Sequence, residues 1–334
     1  MRLARPSLGL GLGVLLAIAT LLLPQVLSDS QLTIYVFIGL ATIVVAGLSL
    51  LMGFAGQVSL GQAAFYAIGA YASGLLAKRG LPPVLALVAA PIAAGGVGAL
   101  MGVPLLRLRG HYLAFATLAF QLIVLSIIGE AKQVTGGDIG LSGIPALGIG
   151  PVALDSPIQY AYLTWAAAAG VLLISRNLVD SRPGRGLRAL ATSEIAAAAS
   201  GVPVGSYKLR IFALSASYAG LAGGIYGFFL SYISPGSFPV LLSIQFLVMA
   251  AIGGLGAVWG SLFGAALITL VVQYLKDLGA QPGMPTHAPA VLTYAVYAGL
   301  LIVVMLFLPD GLLPALMARA AGWRRRLQPA PADA

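Results

Sequence analysis

Between Ser175 and Ile211 the chain reads S-R-N-L-V-D-S-R-P-G-R-G-L-R-A-L-A-T-S-E-I-A-A-A-A-S-G-V-P-V-G-S-Y-K-L-R-I, and this stretch decides how the rest is read. It carries Arg176, Asp180, Arg182, Arg185, Arg188, Glu194, Lys208 and Arg210, whereas almost everything around it is apolar. Such a density of charge has to leave the hydrocarbon of a bilayer. Pro183 and Gly184 break the chain, and Leu187 to Ser200 is dominated by Ala and Leu, both strong helix formers. Gly201 and Pro203 stop the pattern. The reading predicts one helix over 187–200, about 21 Å long at 1.5 Å per residue. That is too short to span and too charged to sit in lipid. A short helix stranded between two apolar segments is either a docking surface for a soluble partner or a solvated helix lying on the membrane.

Working outward, composition fixes the class. Apolar residues make up 60% of the 334 residues and charged residues 8%, against about 25% charged in a soluble protein. A soluble domain of this length could not cover its surface with so few charges, so the fold class is an all-α integral membrane protein. Gly accounts for 43 residues, nearly twice the usual share of about 7%, which suits closely approaching membrane helices. Cys is absent, which excludes a disulfide framework, thiolate chemistry and Cys-metal sites. The net charge of +9 lies in loops and tails. It is a matter of topology and gives no sign of nucleic-acid binding.

Ten passes are expected, at about 8–27, 32–52, 59–77, 83–106, 112–129, 158–175, 211–232, 240–252, 259–275 and 288–308. The first follows Arg2 and Arg5 and resembles a signal peptide, but at 20 residues it is long enough to span a core of ~30 Å. Pro91 and Pro104 predict kinks in the fourth. Residues 130–157 hold six glycines, three prolines and three acids, and read as an exposed loop. Residues 240–275 carry no charge and exceed one bilayer core, so Gly253-Gly254-Leu255-Gly256 is taken as a break between two passes. A tail over 318–334, with Trp323 and Arg324 to Arg326, closes the chain. With the charged segment inside, only Lys78, Arg79, Lys132 and Lys276 of the 18 basic residues fall outside. This satisfies the positive-inside rule and places both termini in the cytoplasm.

Little chemistry is visible. No Asp, Glu, Lys, Arg or His lies within an assigned span, and His111 and His287 abut spans without forming a metal-ligand pattern. Neither G-x-S-x-G nor H-E-x-x-H occurs. A proton-coupled carrier would place an acidic or His relay in the membrane. A phosphate-binding G-x-x-x-x-G-K-[ST] is missing as well, since no lysine follows a glycine. A transport protein of this kind needs an external ATPase. The polar stretch Gly53-Phe-Ala-Gly-Gln-Val-Ser-Leu-Gly-Gln62 admits two readings. Gln57, Ser59 and Gln62 can cap the ends of adjoining helices. Alternatively Gly56, Gln57, Ser59, Gly61 and Gln62 line a translocation path, as Gly-interrupted segments do in transporters. Gly53-x-x-Gly56-x-Val58 recurs in outline as Gly253-x-x-Gly256-x-Val258, over too few positions to make a repeat.

Glu194-x-Ala196-Ala197-x-x-x-Gly201 followed by Tyr207-Lys208-Leu209 resembles the cytoplasmic loop signature of ABC importer permeases of the branched-chain amino acid (LIV-type, LivM-like) family. The stretches at 53–62, 107–120 (R-L-R-G-H-Y-L-A-F-A-T-L-A-F), 135–145 (T-G-G-D-I-G-L-S-G-I-P), 253–260 (G-G-L-G-A-V-W-G) and 308–312 (L-P-D-G-L) resemble that family in the same order. The resemblance implies an inner-membrane permease for leucine, isoleucine and valine, with relatives that carry urea or other amides. It implies a second, LivH-like permease subunit, two ATPase subunits that use ATP and Mg, and an external solute-binding protein that Asp138 could meet. The permease itself would hold no cofactor and no metal, and would touch lipid. The resemblance makes 187–200 the coupling helix, with Arg188, Glu194, Ala196, Ala197 and Gly201 facing the ATPase. At helical spacing, Leu187, Leu190, Ala191, Glu194 and Ala198 share one face, which is the face expected to enter the ATPase groove.

Overall fold

The computed structural model describes residues 23–279 except 109, 150 and 151, together with positions 295 and 299. Most of the expected first pass (8–27), the last pass (288–308) and the tail (318–334) lie outside the described residues. The long helices are α1 (Asp29–Ala55), α2 (Gln62–Lys78), α3 (Pro83–Leu105), α4 (His111–Glu130), α6 (Pro157–Asp180), α9 (Val204–Leu230), α10 (Val240–Gly253) and α11 (Gly260–Gly279). Shorter helices are α5 (Lys132–Thr135), α7 (Arg182–Thr192) and α8 (Glu194–Ala199). Among the described residues, seven segments are long and apolar enough to cross a membrane, α10 reaching that length together with the 3-10 turn Pro235–Ser237 before it. Helix α2, with 17 residues, is shorter than these seven.

Helix α1 lies at the centre. It is apolar all round, and buried residues run almost without interruption from Ile38 to Leu51, as expected of a helix surrounded by other helices. A capping box formed by Ser28 and Gln31 starts it. Helix α9 is the second core element. Its glycines meet two neighbours at backbone distance. A Cβ at Gly223 would overlap the Tyr66 carbonyl of α2, and one at Gly220 would lie against Ala90 and Ala94 of α3. The answering face of α3 consists of Ala86, Ala90, Ala94, Gly98 and Gly102, all buried and four residues apart. Leu85, Val88, Ile92 and Leu100 cover its other side and are exposed. Small residues let the backbones approach where lipid supplies no hydrophobic drive between helices, and the bulky ones are left for the apolar surroundings.

The segment between α4 and α6 folds as a cap at one end of the bundle. Strand β1 (Leu141–Ser142) pairs antiparallel with β4 (Tyr232–Ile233), and β2 (Gly148–Ile149) with β3 (Val152–Ala153). The Lys78 ammonium donates to the Ser142 carbonyl at 2.9 Å, and the Tyr232 hydroxyl to that of Ile139 at 2.6 Å. The first bond ties the cap to the end of α2, and the second ties it to β4, which follows α9.

The charged segment departs from the single helix expected over 187–200. The chain breaks at Ser181, not at Pro183-Gly184, and helix α7 begins at Arg182. Pro183 sits in the first turn, where its missing N–H costs nothing, and Ser181 Oγ accepts from the Gly184 N–H at 3.4 Å. A second break falls at Ser193, extended at φ −161° and ψ 120°, whose Oγ caps α8 by accepting from the Ala196 N–H at 3.3 Å. Ser193 prefers this capping role to a mid-helix position. The expected shared face is overturned too. Leu187 and Leu190 are buried in the chain's own core, while Ala191, Glu194 and Ala198 are exposed.

Candidate functional site

Helix α2 starts in the middle of the bundle. The Gln62 amide donates to Ser215 Oγ at 3.1 Å, and Ser215 lies about 17 Å from the start of α9 at 1.5 Å per residue. The two helices then run side by side in the same direction, with Gly69 against Gly220 and Ala70 near Gly227. The chain reaches this starting point by an irregular run from Gly56 to Gly61 that turns back into the protein after α1. Gly56 adopts φ +61°, closing α1 with a left-handed residue. At Gly61 a Cβ would stand 2.7 Å from the Thr117 carbonyl oxygen, so only glycine fits.

The entry to α10 is also drawn inside. Phe238 is fully buried against Tyr66, Tyr71 and Tyr226, and its carbonyl accepts from the Gln121 amide at 3.3 Å. The first turns of α2 and α10 meet there. The Ala63 N–H donates to Ser243 Oγ at 2.9 Å, and the Ser243 hydroxyl donates to Gln121 Oε1 at 2.7 Å. The Leu60 N–H donates to Thr117 Oγ1 at 2.9 Å. Backbone freed from helix inside a membrane protein must find such partners.

Of the path residues expected from the sequence, Gln57, Ser59 and Gln62 are buried, Gln62 bonds into this junction, Gly61 shapes it, and Gly56 closes α1. The carboxamide oxygens of Gln57 and Gln62 are buried and have no partner among the described residues, which is uncommon for buried polar atoms. Thr117, Gln121, Ser215 and Ser243 were not singled out in the sequence. A signal existed, because Thr117 and Gln121 are polar residues one helical turn apart within an apolar run.

The two glycine turns that resemble each other in outline are in contact. A Cβ on Gly53 would overlap the Gly256 backbone, and the Gly256 N–H donates to Ser49 Oγ at 3.1 Å. Beyond the break, α10 and α11 pack through Gly253, Gly260 and Gly264, each against main-chain atoms of the other helix.

At the far end of α9, α7 and α8 rest on the bundle through Leu187, Leu190 and Ala197. Ala197 therefore faces the chain's own core, while Arg188, Glu194 and Ala196 are exposed. Ile195 is 84% exposed. The Lys208 ammonium pairs with Glu194 Oε1 and ties α8 to the first turns of α9. Gly201 ends α8 at φ +79°, and the Val202 N–H reaches the Ala197 carbonyl at 3.0 Å, the bond that closes a Schellman turn.

Residues 30–305 match the family described as branched-chain amino acid transport system / permease component. The chain is 30% identical over 305 residues to the high-affinity branched-chain amino acid transport system permease protein LivM of Salmonella typhimurium and to that of Escherichia coli. Each alignment covers 84% of this chain and 68% of the relative. A probable branched-chain amino acid transport permease protein LivM of Methanocaldococcus jannaschii is 26% identical over 244 residues, covering 69% of this chain and 68% of that protein. No solved structure matches the chain.

Proposed function

The chain belongs to the branched-chain amino acid transport permease family, and from that premise we infer that it is the multi-pass permease subunit of an ATP-driven importer of leucine, isoleucine and valine. The observation that carries this reading is the family match, which runs through every long helix described. ATP and Mg are used by two partner ATPase subunits, a second LivH-like permease completes the pathway, and an external solute-binding protein delivers cargo. The complex sits in the inner membrane, with the basic segment and both termini in the cytoplasm and the cap bearing Asp138 outside. The charge distribution supports that orientation.

The coupling role falls to α7 and α8 together. Arg182, Arg185 and Arg188 are exposed along α7, and Ile195 stands out from α8. An exposed Ile beside the small, exposed Ala196, Ala198 and Ala199 suits a pocket on a soluble partner better than it suits water. Leu187, Leu190 and Ala197 seat the pair on the permease, and the Glu194–Lys208 bridge joins it to α9. Helix α9 carries Ser215 to the polar junction. A push on α8 thus reaches the Gln57–Gln62 segment through one rigid helix, and that segment lines the cargo path.

The test is Ile195→Asp. Because Ile195 is exposed, the permease should insert and fold normally. It should lose co-purification of the ATPase, and leucine uptake should fall at least tenfold. Normal ATPase binding with normal uptake would return α8 to a helix lying on the membrane surface.

A further inference from the structure

A cavity of about 310 Å³ lies among α1, α10 and α11, with Tyr66 of α2 and Tyr226 of α9 at its inner side. That volume is near the lower end for ligand pockets and suits a single small molecule. Phe37, Leu40, Phe246 and Met249 supply an apolar wall. Helix α11 adds Thr269, Val272 and Lys276, spaced so that all three share one face. Lys276 stands about 10 Å farther along α11 than Thr269.

Lys276 is the one Lys, Arg, Asp, Glu or His among the lining residues. The adjacent acid does not neutralise it: Asp277 Oδ1 accepts instead from the Gln273 amide at 3.0 Å, and no ion pair to Lys276 is found among the described residues. A cation at one end of a small, largely apolar cavity selects a ligand with an anionic head and an apolar body. Gln245 and Thr269 add side-chain oxygens that can accept from an ammonium. Tyr66 lies one turn beyond Gln62 on α2, so an occupant would sit beside the junction where Gln62 Oε1 is unpaired.

Resting on the reading of this chain as an amino acid permease, we propose that the cavity is a cargo subsite within this subunit. It takes one aliphatic α-amino acid, with the carboxylate on Lys276 and the branched side chain against Phe37, Leu40, Phe246 and Met249.

The experiment uses the assembled transporter in lipid nanodiscs without solute-binding protein, and measures equilibrium binding of radiolabelled leucine. Saturable binding is expected. Lys276→Gln, at an exposed position, should weaken it at least tenfold with the transporter still monodisperse on size exclusion, and Lys276→Arg should restore most of it. Leucinamide, which lacks the carboxylate, should compete at least tenfold less well than leucine. In transport with the binding protein present, Lys276→Gln should raise the KM for leucine. Equal leucine binding and KM in wild type and Lys276→Gln would overturn the subsite while leaving the cargo reading intact. Lys276-dependent binding of decanoate without leucine binding would assign the cavity to a lipid acid and would also overturn it. A wild-type transporter that takes up no leucine at all would instead fail the functional reading itself.

Discussion

Replacing Ser243 by Ala tests the junction at which α2 and α10 begin. Ser243 is fully buried; its Oγ accepts from the Ala63 N–H at 2.9 Å and donates to Gln121 Oε1 at 2.7 Å. The substitution removes both bonds and leaves a buried N–H and a buried carboxamide oxygen without partners. Hydrogen bonds between membrane helices average about 0.6 kcal/mol each, which sets a floor of about 1.2 kcal/mol for two. Leaving a buried group unpaired costs about 1–3 kcal/mol, which makes about 2–6 kcal/mol for the two. Between these bounds the expected loss is about 2–4 kcal/mol. Ser200→Ala is the control, because that hydroxyl donates to the Ala196 carbonyl at 2.9 Å on an exposed surface, where loss should stay within about 0.5 kcal/mol. Both variants can be unfolded by titrating SDS into detergent micelles, followed by the fluorescence of the tryptophans, which include Trp165 and Trp259. A cycle pairing Ser243→Ala with Gln121→Leu should show coupling above about 0.5 kcal/mol. If Ser243→Ala is no more destabilising than Ser200→Ala and the cycle is additive, the two helix starts do not hold each other in this way.

Two further outcomes follow from backbone geometry. Gly69→Ala drives a methyl into the Gly220 backbone, whereas Gly96→Ala meets nothing within 4 Å. The first should sharply reduce the yield of folded permease, and the second should leave it unchanged, as read by monodisperse protein on size exclusion. Gly201→Ala meets no neighbour but must adopt φ +79°. It should therefore lower stability by about 1 kcal/mol through strain alone, in the same SDS titration, without loss of insertion.

The class, the family and most of the helical segments are legible from the chain of residues alone, because apolar runs and charge placement are local properties that a bilayer reads directly. The break between α10 and α11 was legible at Gly253–Gly256 for the same reason. A helix over 187–200 was expected from propensity, but Ser193 caps a second helix there, and a single hydroxyl outweighed the Ala-rich pattern. The face of that segment was misjudged because periodicity shows that Leu187 and Leu190 lie together but not which body covers them, and the body is this chain's own core. The junction at Gln62 lay further out of reach. Its partners Thr117, Gln121, Ser215 and Ser243 come from three other helices, at separations of 55 to 181 residues from Gln62. Isolated hydroxyls and amides in apolar runs acquire meaning only when packing brings them within hydrogen-bonding distance. The same holds for Lys276. In sequence it is a basic residue at a helix end, and only the packing of α11 against α1 and α10 turns it toward a cavity.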